Sequence, residues 1–355
     1  TQILADYGAD VVKIEPPEGD IMRHAGAKPE AGMGSMFVHV NRGKRSVVVD
    51  LKDEKQRAVL LGSVGDYDVF IHNMRPEAAA RLGLGYEFIS ACHPGVIYVE
   101  LSGYGLDGPY ADRPAFDDVI QAESGLSALL GQAAGDEPRY LPALIADRMT
   151  GVTAAHKVLA ALFRQQRTGK GCRINVAMFE TMAAFVLSDH LGGRSFEPEA
   201  GPLGYNRLLS PHRRPYRTRD GHVAVIVYND KHWRAFFQLV GRPEVGENDE
   251  RFATAAGRAE NYDFIYSYIS PFFGERDTAE WLRVLAVADI PCAPVNDFKS
   301  LIDDPHLAAV GFFRTAVDGR GSRYRLMPPK GSAAALPPPR RGEHTDQIFT
   351  GMPRA

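Results

Sequence analysis

The carboxylate best placed for chemistry in this sequence is Asp147. It follows a short apolar stretch at 142–146 and directly precedes a long amphipathic helical pattern. An aspartate at a helix N-terminus accepts amide hydrogen bonds and sits in the positive end of the helix dipole. Both effects favour the ionised form that a carboxylate nucleophile requires. On spacing alone, an ordinary helix cap is the plainer account of the same residue, because aspartate is among the commonest N-caps. A second group, Asn73, Met74, Arg75, Pro76 and Arg81, stands at the carboxyl end of a predicted strand and runs into the next helical pattern. Open α/β sheets bind ligands at that edge. Arg75 and Arg81 have the chemistry to grip phosphates bidentately, although a solvated helix face is the plainer account of their pattern.

Other motifs fail on their own requirements. Gly103, Gly105 and Gly108 have the GxGxxG spacing of a dinucleotide-binding turn and follow a predicted strand. That turn needs a helix to begin there, so that its first amides meet the pyrophosphate. Pro109 and Pro114 instead predict a turn-rich loop, and no nicotinamide cofactor is expected. Thr168-Gly169-Lys170-Gly171 resembles half of a phosphate-binding loop, but Arg164 and Gly171 occupy the places of its first glycine and its Ser or Thr. A helix cap with a solvated lysine is predicted there. The 11 histidines include no HExxH pair, and no serine lies in a GxSxG turn. Neither a metal centre nor a hydrolase elbow is therefore expected.

The scaffold for these candidates is legible as alternating elements. Strands are predicted at 11–15, 45–51, 67–72 and 96–101, with helical patterns at 54–64, 78–82 and 86–91. Alternation at these lengths predicts βαβ units and a parallel sheet covered on both faces, with right-handed crossovers. Helices are predicted over 115–130 and 148–166; in the second, Val152, Ala155, Leu159, Leu162 and Phe163 share one face. Gly, Pro, Arg and Ser dominate 201–217, which reads as a linker. A strand at 222–227 and helices at 230–240, 264–273 and 278–286 follow. The expected organisation is a large α/β, parallel-sheet (Rossmann-like) domain over 1–200, a small α+β domain over 204–296, and a return to the large domain over 297–355. A Pro-rich tail from Pro328 is predicted to run extended over the surface.

Composition sets the outer limits. With 355 residues, 45% hydrophobic and 24% charged, the chain is an ordinary globular sequence rather than a disordered, collagenous or coiled-coil one. Lys plus Arg (41) nearly balances Asp plus Glu (44), which argues against nucleic acid as partner. No apolar run approaches the roughly 20 residues of a membrane helix, so no membrane span is expected. The sequence opens Thr-Gln-Ile-Leu, with no signal-peptide pattern. Cys92, Cys172 and Cys292 are far apart and form no CxxC pair. Three free thiols in a reducing, cytoplasmic compartment are expected.

Read in order, LADYGADVVKIEPPEGD (4–20) with Arg23, NRGKRSVVVDLK (41–52) and HNMRPEAAARLGLGYE (72–87) resemble successive signatures of the class III CoA-transferases, the CaiB/BaiF type. SGYGLDGPYADRPAFDDVIQAESGL (102–126), ADRMTG through RTGKGCRINVAMFE (146–180), GRPE, IPCAPVND, DPHL and GEHT continue the series almost to the end. The resemblance implies a large α/β domain and a small domain joined by two linkers, with two chains threaded as an interlocked homodimer. It implies coenzyme A bound as the acyl-CoA substrate, a small carboxylic acid as second substrate, and no metal. Asp147 matches the family's catalytic aspartate. Arg81 matches a position that binds the CoA phosphates, Asn73, Met74 and Arg75 match the segment along the cofactor, and Phe116 and Asp117 are also expected at the cofactor. The family also holds acyl-CoA racemases, which carry a histidine before the aspartate matching Asp117; here that position is Phe116. Without an imidazole there, one of the two acid–base groups of a racemase is missing, so a transferase is favoured. A racemase or isomerase, and a silent CoA-binding homologue, are the alternatives. The family's first strand and Gly-Pro turn have no counterpart before Thr1, so the sequence is expected to lack the family's start. The Gly-rich loop of oxalate-using members has no counterpart between Leu208 and Val227, which leaves oxalate a poor acceptor candidate.

Overall fold

The Val-rich runs of the first hundred residues form short parallel strands. Strand β1 (Val12–Glu15) pairs with β2 (Arg45–Val48). A second parallel sheet has the order β3 (Val69–His72), β4 (Ile97–Ser102), β5 (Cys172–Ala177). The computed structural model describes residues 1–329, 331 and 335–350. These fall into two units: Thr1–Ile120, Leu144–Met182 and the residues from Asp303 on, and then Gln121–Ala143 with Ala183–Ile302.

Strand β4 explains its own sequence. Ile97, Tyr98 and Val99 are all fully buried. Tyr98 packs with Leu60, Leu84 and Ile89 on one face, while Ile97 and Val99 pack with Ala154, Val158 and Val176 on the other. A strand covered on both faces can be apolar without alternation. Strand β5, which the pattern did not predict, alternates instead. Its Arg173 donates to Glu100 at 2.6 Å and its Asn175 to Ser102 at 2.9 Å, so two polar side chains interrupt the apolar signal.

The long helix runs from Ile145 to Thr168 and ends at Gly169 in the left-handed conformation (φ 68°), as the glycine predicted. Its buried face is not the predicted one. Thr150, Ala154, Val158 and Ala161 line the buried stripe, with Ala155 beside them. Val152, Leu159 and Phe163, expected on the same face as Ala155, are exposed. The alanines let the helix approach the sheet closely, and the larger residues face the other way. The helix predicted over 115–130 is two, Asp117–Glu123 and Leu126–Ala134, because Gly125 turns the chain at φ 84°.

In the second unit, antiparallel strands β6 (Tyr216–Arg217), β7 (His222–Val225) and β8 (Cys292–Pro294) meet helices Asp230–Leu239, Tyr262–Phe273 and Thr278–Val287. The region predicted as linker supplies β6 and the short helix Asn206–Leu209. Trp233, Phe236, Phe237, Phe252, Phe273 and Trp281 form an aromatic core there.

Of the predicted Pro-rich tail, residues 330 and 332–334 lie outside the described residues. Where it is described, it is tied down. Pro337 accepts the Gly43 amide at 3.0 Å, and Pro339 accepts the Arg23 guanidinium at 3.3 Å. Arg23 is itself buried and clamped bidentately by Glu15 at 2.6 and 2.7 Å. Burial opposes ionisation of Glu15, but the bonds from Arg23, Ser46 and the Asp20 amide outweigh it and hold the carboxyl below the usual glutamate range. A depressed folded-state value means this stabilisation is present above the ordinary glutamate pKa and is lost as pH falls through the folded one. Arg23→Met leaves Glu15 charged, buried and unpaired, and is expected to cost about 3–5 kcal/mol in urea unfolding at neutral pH. Adding Glu15→Leu should recover much of the loss. A single-variant cost under about 1 kcal/mol would show that the clamp is idle.

Candidate active site

Asp147 lies within the first turn of its helix, not at the cap. The N-cap is Leu144, which makes no side-chain cap, and Asp147 is the third helical residue. The capping role belongs to Asp117, whose Oδ1 accepts the Asp147 amide hydrogen at 2.9 Å. Asp117 is buried at the start of its own helix, and its neighbour Phe116 is 77% exposed.

This exchange of roles reverses the expected electrostatics. With Asp117 serving the helix end, the Asp147 carboxylate accepts no hydrogen bond among the described residues. Its surface is open to solvent on one side, yet the protein around it partly desolvates the carboxyl group. That desolvation first, and the like charge of Asp117 second, raise its pKa above the ordinary aspartate value, against the pull of Arg148. A carboxylate whose charge is stabilised this little is a good nucleophile once ionised.

The topology then places Asp147. Gln165 and Gly171, at the far end of the helix, bond Gly95 and Pro94, which lead into β4. The helix therefore runs antiparallel to the strands, and its first turn lies at their carboxyl edge. Three other segments leave that edge. Asn73, Met74 and Arg75 follow β3; Met74 packs into the core and its amide bonds the His72 ring at 3.2 Å, while Asn73 and Arg75 are exposed. Arg81, also exposed, closes the six-residue helix Pro76–Arg81. Neither arginine forms an ion pair among the described residues, and both side chains are exposed. The Gly103–Gly105 loop follows β4 and turns without starting a helix.

Glu180 was missed as a positioning residue. In the first turn after β5, it accepts the Gly105 amide at 2.7 Å and so pins the glycine loop to the same edge. Its only signal in the sequence was its closeness to the end of a strand that went unpredicted. The structure thus joins Asp147 directly to Asp117 and brings the segment 73–75 to the same sheet edge. Among the described residues, no three His, Cys, Asp or Glu side chains group as a metal site, and no helix is long and apolar enough to cross a membrane.

Residues 1–345 match the family described as CoA-transferase family III. The chain is 30% identical over 374 aligned positions to "Probable fatty acyl-CoA transferase Rv3272" of Mycobacterium tuberculosis, covering 99% of this chain and 93% of that one. It is 34% identical over 314 positions to the acetyl-CoA:oxalate CoA-transferase of Acetobacter aceti, covering 87% and 79%. A crystal structure of Rv3272 superposes with a TM-score of 0.82 at 27% identity, covering 98% of this chain and 93% of that one.

Proposed function

The chain belongs to CoA-transferase family III, and from that membership we propose that Asp147 is the nucleophile of CoA transfer from an acyl-CoA donor to a carboxylic-acid acceptor. The chain is an enzyme of the CoA-transferase type. In the proposed route, the Asp147 carboxylate attacks the thioester carbonyl of the donor. A C–O bond forms, the C–S bond breaks, and a mixed anhydride and the CoA thiolate result. The thiolate attacks the aspartyl carbonyl and expels the donor acid as its carboxylate. The acceptor carboxylate then attacks the aspartyl thioester, forming a second anhydride and freeing the thiolate again. Attack of that thiolate on the acceptor carbonyl gives the new thioester and restores Asp147. Splitting one exchange into four acyl transfers keeps each barrier low.

The observation that carries this reading is the unbonded, partly desolvated carboxylate of Asp147 at the carboxyl edge of a parallel sheet. Arg75 and Arg81, open guanidinium groups beyond β3, suit the phosphates of CoA, with Asn73 and Met74 along its length. The absence of an imidazole at Phe116 favours transfer over racemisation. The test mixes the protein with a panel of acyl-CoAs and a panel of free carboxylic acids and reads new thioesters by mass spectrometry. New thioesters support transfer and name both substrates. Deuterium uptake at the α-carbon without CoA exchange would overturn it.

The working form is proposed to be an interlocked homodimer. Its support here is the stripe of Val152, Leu159 and Phe163 on the outer face of the long helix, each close to half exposed or more. Apolar residues at this spacing suit a covered face. Light scattering should give twice the chain mass of 38.9 kDa. A monomer at micromolar concentration would refute the proposal.

A further inference from the structure

We propose that the second unit carries a binding site for an amphipathic organic anion, a molecule with a carboxylate or phosphate head on an apolar body. This goes beyond the CoA-transfer reading and does not depend on Asp147.

The site is a cavity of about 740 Å³ whose walls include Arg207, Arg213, Arg214, Tyr228, Trp233 and Ile265. That volume is in the range of small-molecule pockets. The charge is one-sided. Arg213 and Arg214 are exposed, and their guanidinium groups bond nothing among the described residues. The Nε of Arg207 donates to the Tyr266 hydroxyl at 3.0 Å, a neutral partner that leaves its charge uncompensated. The other two cations of the wall are already matched, Lys231 by Asp289 at 2.8 Å and Arg258 by Asp230. Among the described residues, Asp230 is the only carboxylate of the lining, and Arg258 occupies it.

Three unmatched guanidinium groups facing one cavity repel each other, and an anion relieves that repulsion. Apart from Asn229, the rest of the wall is apolar or aromatic, with Val225, Val227 and Ile269 beside Ile265. Trp233 is buried there, and its indole N–H has no hydrogen-bond partner among the described residues. Buried tryptophans usually satisfy that donor, so the wall beside the cations also holds an unspent polar group. Inorganic phosphate alone would leave the apolar wall uncovered, and a neutral molecule would leave the arginines unmatched. A ligand with both parts fits.

The test uses the full chain. Isothermal titration calorimetry, with intrinsic tryptophan fluorescence (Trp233 and Trp281) as a second readout, would compare 4-phenylbutyrate, phenyl phosphate, inorganic phosphate and 4-phenylbutanol. Saturable binding of at least one amphipathic anion is expected, with phosphate and the alcohol about tenfold weaker or worse. The carboxylate-to-phosphate ratio identifies the head group. Arg213→Ala with Arg214→Ala should weaken binding about tenfold or more without moving the melting temperature, since both side chains are exposed. Asp147→Asn should leave the affinity unchanged, which separates this site from any failure of CoA transfer. The proposal is overturned if neither amphipathic anion saturates, if binding survives the double arginine variant, or if Asp147→Asn removes it. It is also overturned if the parent binds no probe and the double variant instead changes the mass in solution, which would assign the arginines to contact between copies.

Discussion

Asp147→Asn is expected to lower CoA exchange by about a thousandfold or more, with binding of CoA retained. The amide keeps the shape of the side chain but cannot open a thioester. The fold should not suffer, because the Asp117 cap bonds the backbone amide of residue 147 and not its side chain. Removing one of two neighbouring like charges should, if anything, raise stability slightly. The pH profile gives a sharper reading. Burial and then Asp117 raise the Asp147 pKa, so the acid limb of the rate should lie above that of an ordinary aspartate, and the rate should climb as pH rises through the raised value. Asp117→Asn keeps an oxygen for the helix cap while deleting the like charge, and should shift the limb towards lower pH. Two measurements suffice, initial rates of thioester formation against pH and thermal melts of each variant. Full exchange by Asp147→Asn would remove the residue from the mechanism. An acid limb unmoved by Asp117→Asn would dismiss the like-charge account while leaving the nucleophile in place.

The same pair shows how far the sequence could be read. Asp147 was recognisable as a carboxylate at the start of a helix, from the apolar stretch before it and the amphipathic pattern after it. That it is not the cap depends on Asp117, thirty positions earlier, and no local pattern reports such a bond. The expected sign of its pKa shift failed because burial first, and the charge of Asp117 second, raise it, and neither is visible in the local sequence. Strand β4 was legible because both its faces are buried, so its apolar run needed no partner to be recognised. Strand β5 was not, because Arg173 and Asn175 spend their polarity on Glu100 and Ser102 of the neighbouring strand. The long helix was legible in length and end, but its buried face was assigned to the large residues. Alanine is a weak signal in a hydrophobic pattern, yet it is the residue that allows close packing on the sheet. Arg75 and Arg81 could be seen to suit phosphates, but only the strand order brings the segment that carries Arg75 to the edge where Asp147 begins its helix.

The two glycines of Thr168-Gly169-Lys170-Gly171 look alike in the sequence and should respond very differently to a methyl group. Gly169 ends the long helix at φ 68° with nothing within 4 Å of an added Cβ. Gly169→Ala therefore meets only the backbone penalty of the left-handed region, about 1 kcal/mol. Gly171 is limited by space. A Cβ there would lie 2.0 Å from the Val96 carbonyl oxygen and 2.6 Å from the Gly95 carbonyl carbon. Both atoms belong to the backbone leading into β4, and neither can rotate away as a side chain would. Nor can residue 171 retreat cheaply. Its amide bonds Pro94 at 3.1 Å, and the next amide, of Cys172, bonds Val96 at 3.1 Å, at the start of the β4–β5 pairing. Relief would mean opening the first rungs of the sheet that carries the helix of Asp147. Gly171→Ala is accordingly expected to cost more than about 3 kcal/mol, at the upper end of overpacking losses. Parallel urea titrations of the two variants decide the matter. Equal losses would mean that the chain after the helix yields freely, and the rigid link from helix end to sheet, on which the placing of Asp147 rests, would have to be abandoned.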